Sequence, residues 1–187
     1  TEALNALGTA QFASLGTAQV AGLTTTQVAA LESADVRALT TGVVKALSTD
    51  QLNALTSDNI VALTSTQVAS LSSSQVSGLS TATLSAIETA DVRALSTSAI
   101  AALNTDQLGG MTSDQIGALT TGQVLKLSSD QIGGLATEDI GALGTAQIGT
   151  LTSAQVAGLS TTHMGALDTT DVRALSTAAL KALSTDQ

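Results

Sequence analysis

The chain has 187 residues, a formal net charge of −9, 11% charged residues and 1% aromatic residues, with no Cys, Pro, Trp or Tyr. Without cysteine there is no disulfide framework and no thiolate metal site. An acidic balance with Phe12 as its one aromatic residue argues against nucleic acid, which calls for basic grooves and stacking side chains.

A strict eight-residue period overrides the usual reading of length as one or two ordinary domains and points to a solenoid. From Leu7 to Ala182 the chain is 22 unbroken octads, with partial octads before and after. Position one is Leu at every step except Ile87 and Met111, and position six is apolar throughout. Position three is Ser or Thr in every copy, from Thr1 to Thr185. Position two is usually Ser, Thr, Asn or Asp; position five favours Gln, with Asp at 35, 91, 139 and 171.

Each octad reads as one very short helix. The position-two hydroxyl is placed as an N-cap, and Gln or Asp three residues later supplies the reciprocal half of a capping box. Leu47, Ser48, Gln51 and Leu52 add the hydrophobic staple that brackets such a cap. Charge agrees: all fifteen acidic residues fall in the expected first turn, and all six basic residues in the last, from Arg37 to Lys181. The helix dipole favours that order. Eleven of the 16 glycines lie at positions seven or eight, where a helix is expected to stop on Gly.

A strand would alternate at period two. One continuous helix would lose its apolar seam, because an eight-residue repeat drifts about 80° per copy. Helices this short are far below the length that is stable alone in water, so copies must stack. The expected fold class is therefore an all-α solenoid, one helix per octad, spanning 1–187 as one continuous array. Two helices per layer and right-handed winding are the further expectations. Partial octads at both ends suggest a stretch of a longer array. Apolar runs stay near four residues, so no membrane span is expected.

Longer similarities run through the array. Ser33–Arg37, Thr89–Arg93 and Thr169–Arg173 share Asp-Val-Arg at steps of seven and then ten octads, which block duplication explains.

Candidate chemistry is sparse. The position-three hydroxyls form a regular row that could order water, but first-turn Ser and Thr bonding a neighbouring turn explain them as well. Asp50/Asp58, Asp106/Asp114 and Asp130/Glu138 are carboxylates one octad apart; calcium wants 6–8 oxygens, and the dipole already accounts for these acids. His163, the one histidine, replaces Gln at a capping position and is expected to be a solvated or capping residue. Hydroxyls here act as caps, so no Ser-His-Asp set is read. No catalytic, cofactor-binding or metal residues are expected, no cofactor, and no enzyme activity.

The phrase, as in Leu151–Gly158 (Leu-Thr-Ser-Ala-Gln-Val-Ala-Gly), resembles the tandem octapeptides of very large bacterial surface or secreted proteins of adhesin-like type. That resemblance covers the whole chain. It implies an extracellular or cell-surface spacer or scaffold that projects other domains, with neighbouring repeats or self-stacking as its contacts. The alternative is a binding module that offers one regular face to a protein, a glycan or ice.

Overall fold

The computed structural model describes residues 7–187. Among them are 22 helices of four to six residues, from Thr9–Ala13 to Thr177–Lys181, and no strand. Each octad makes one helix, as the period requires. Thr1 and Glu2, at the head of the hydroxyl row and the acidic series, lie outside the described residues.

The start signal works as the residue types predict. Ser48 is extended (φ −71°, ψ 161°), and its hydroxyl accepts from the Gln51 N–H at 3.2 Å. Gln51 Oε1 accepts the Ser48 N–H at 2.9 Å, closing the capping box. Where the cap is Gly8 or Gly16, only the glutamine half is made, at 2.8 and 2.7 Å. Of the three acidic caps, Asp168 accepts from the Thr170 and Asp171 N–H groups. Glu32 and Glu88 make no side-chain cap bond. One more methylene carries their carboxylates past the short loop that a cap bond closes.

The stop signal is where expected in part: among the described residues six helices end on a glycine, Gly22, Gly78 and Gly158 among them, but in right-handed conformation. No glycine among the described residues has positive φ, so none is a left-handed helix terminator. Position one ends others. Leu47 is extended (φ −64°, ψ 136°) while its N–H still bonds the Val44 carbonyl at 3.3 Å. Two extended residues then turn the chain into the next helix.

Glycine serves close approach. A Cβ on Gly133 would lie 2.6 Å from the Gly158 carbonyl oxygen, and one on Gly117 2.7 Å from that of Ala142. Gly133→Ala is therefore expected to cost about 1–3 kcal/mol by overpacking, read as a lower urea midpoint.

The chain divides into two compact units, residues 1–95 and 96–187. In the first, Thr9–Ala13 packs on Ser33–Ala38, and Thr25–Ala29 on Thr49–Ala54. In the second, Ser113–Ala118 packs on Thr137–Ala142, which packs on Thr161–Ala166. The interval in both is three octads, so three helices make a turn rather than the expected two. The three-helix turn brings positions one, five and six all inward. The position-six residues Val36, Ile116 and Ile140 are wholly buried, and the position-one leucines from Leu31 to Leu159 nearly so.

Candidate functional site

The feature that sequence periodicity does not explain is the burial of position five from Asp35 to Ala179, Gln11 and Gln19 before it being exposed. Gln51, Gln67, Gln115 and Gln155 are 2–4% exposed, as closed to solvent as the leucines. A buried primary amide must satisfy both its oxygen and its nitrogen.

Each of these glutamines caps its own helix through Oε1, and where the second bond is seen Nε2 reaches the preceding turn. Gln67 Nε2 donates to the carbonyls of Val36 at 2.9 Å and Leu39 at 2.8 Å, with Arg37 at 3.3 Å. Gln51 and Gln75 repeat this on Val20 and Leu23, and on Val44 and Leu47. In the second unit Gln155 holds Val124 and Leu127, both at 2.8 Å. Those carbonyls belong to helix ends, where intrahelical partners run out. One side chain thus caps the start of a helix and the ends of the turn beneath it.

Shorter residues at position five bond differently. Asp91 accepts from the Ser65 hydroxyl, Asp139 from Ser113 at 2.8 Å and Asp171 from Thr145 at 2.8 Å. Part of the position-three hydroxyl row is therefore spent on turn-to-turn bonds. Asn59 accepts from Ser33 and donates to the Leu31 carbonyl at 3.1 Å. At Thr83, which cannot cap Ser80 as glutamine does, Asn53 of the earlier turn takes over. Asn53 Oδ1 accepts the Ser80 N–H at 2.9 Å and the Thr83 hydroxyl at 3.0 Å.

His163 is buried, which corrects the solvated reading, and it caps. Its Nδ1 accepts the Ser160 N–H at 3.2 Å.

The Asp35 carboxyl is pushed above its ordinary value. Burial is the main cause and the Glu32 carboxylate the second, against a backbone N–H bond that pulls the other way. A raised value in the folded state means that ionisation opposes folding, so stability falls as pH rises past the ordinary aspartate range near 4. Asp35→Asn is expected to raise the thermal midpoint at pH 7. That gain should vanish below about pH 4, where the parent carboxyl is protonated.

The acidic pairs one octad apart sit on successive helices, on different sides of a turn. With three helices per turn, same-side neighbours are three octads apart, as Asp106 and Asp130 are, or Asp114 and Glu138. Among the described residues no group of three or more His, Asp or Glu is placed to hold a metal ion, and no helix is long and apolar enough to cross a membrane. An open groove of about 570 Å³ is lined by Ser129, Asp130, Gly133, Ala154, Ala157 and Gly158. Its two polar side chains, Ser129 and Asp130, are neighbours in a single first helical turn.

The one-helix octads, the three-octad stacking and the amide ladder define a helical solenoid repeat protein. The family model described as ALTTAQ repeat matches residues 1–33, 28–65, 84–121, 132–169 and 164–187, and the chain belongs to that family. No curated protein matches it.

Proposed function

We propose that this array is a semi-rigid spacer or scaffold within a large bacterial surface or secreted protein, working outside the cell and without enzymatic activity. The carrying observation is where the inward polar groups go. Position five, which supplies the buried polar side chains among the described residues, is committed to holding helix starts and neighbouring turns together. Such a layout suits a part whose task is length and shape. Neighbouring repeats of the same array are the contacts that this reading calls for.

The experiment is surface labelling with limited proteolysis of intact source cells. An antibody raised against the chain should bind unbroken cells or the secreted fraction, and external protease should remove the epitope. Signal confined to the cytoplasmic fraction after lysis would overturn the reading.

A further inference from the structure

Three stretches, each two octads long, share more than Asp-Val-Arg. They are Glu32–Leu47, Glu88–Leu103 and Asp168–Leu183. Each begins with an acidic cap, carries Asp then Arg at positions five and seven, and continues into an octad with Val43, Ala99 or Ala179 at position five. All three arginines of the chain lie here, and all three acidic caps. None of the stretches contains a glutamine. Two successive octads, two of the three sides of a turn, therefore lack the amide that Gln51, Gln67, Gln75 and Gln155 extend to the turn beneath.

What replaces it is weaker. Asp91 and Asp171 each accept a hydroxyl from the turn beneath, from Ser65 and Thr145. Val43 and Ala179, though buried, have no polar side-chain atom to offer. A glutamine octad places two or three donor contacts across the same gap, as Gln67 and Gln75 do.

From these observations we infer that the two-octad module is a joint, the place where a turn parts first from the turn beneath it; on its upper side the first module is held by Gln67 and Gln75. In a solenoid each turn is held by its neighbours alone, so removing two amide contacts from one turn lowers the local opening cost there. The inference rests on turn-to-turn bonding and not on the spacer reading; its test is independent of where the protein resides.

Hydrogen exchange by mass spectrometry on the whole chain tests it. After correction for intrinsic rates, peptides from 32–47 and 88–103 should exchange about tenfold faster than those from 64–78 and 144–158, which hold Gln67, Gln75, Gln147 and Gln155. Asp91→Gln and Val43→Gln, which install the missing amide, should each slow exchange in their own module by a similar factor. Equal exchange of module and glutamine peptides in the parent would overturn the inference. So would an installed glutamine that leaves module exchange unchanged. Should either variant fail to fold, the reverse change decides: Gln155→Ala must raise exchange in 144–158 toward the module rate, and no change there would overturn the joint.

Discussion

Gln67→Glu is expected to destabilise the first unit by about 3–5 kcal/mol at pH 7, the cost of a buried charge without a partner. The two side chains have nearly the same shape. One carboxylate oxygen can still take the Thr64 N–H and hydroxyl, as Oε1 does at 2.7 and 3.0 Å. The other would stand where Nε2 now donates, facing the carbonyls of Val36 and Leu39. Acceptor would meet acceptor in a place closed to water. Protonation supplies the missing donor, so the folded state holds that carboxyl above its ordinary value near 4.3. The sign follows: the loss is absent below the unfolded value and grows as pH rises through that value, levelling off above the folded one. Urea unfolding of variant and parent at pH 7 and pH 4 checks both the size and the direction.

Ile140→Ala is expected to cost about 2–5 kcal/mol, the usual range for emptying a fully buried aliphatic site. Ile140 is 0% exposed, on Thr137–Ala142 between Ser113–Ala118 and Thr161–Ala166. A solenoid turn contacts only its neighbours, so the damage should stay local. Hydrogen exchange should rise in 113–118 and 137–166 with little change in 9–54. Val61, which is 45% exposed, is the comparison: Val61→Ala should stay within about 0.5 kcal/mol.

Much of the fold is legible in the octad. Cap, staple, apolar spacing and charge order all point to one short helix per copy, and each is a local property. The number of helices per turn is not local. It depends on how far the two extended residues around Leu47 and Ser48 rotate one helix against the next, and no residue type announces that angle. The glycine reading held in place but not in conformation, for the same reason. Gly22, Gly78, Gly110, Gly134, Gly149 and Gly158 do end helices, without positive φ. Position seven or eight suggests a stop, while the need at Gly133 is for a neighbouring backbone at 2.6 Å, visible only once turns are stacked.

The glutamine ladder left a trace that could have been read. Glutamic acid completes a capping box as well as glutamine does, yet position five never holds Glu in any copy from Ala3 to Gln187. An absent carboxylate of suitable length implies that the amide nitrogen is also used. Its partners, between three and four octads back, could be named only once the three-octad turn was known.

That turn is the claim from which the ladder, the joint and the glycine contacts all follow, and an engineered disulfide tests it most directly. The chain has no cysteine of its own. A Cβ on Gly134 would lie 3.4 Å from the Thr105 Cβ of the preceding turn, close to the spacing that a disulfide requires. The Thr105→Cys/Gly134→Cys variant should therefore oxidise to a single intramolecular disulfide, while Ser113→Cys/Gly134→Cys, one octad closer, should stay reduced. Bonding in the Ser113 pair with none in the Thr105 pair would mean two octads per turn and would contradict the account.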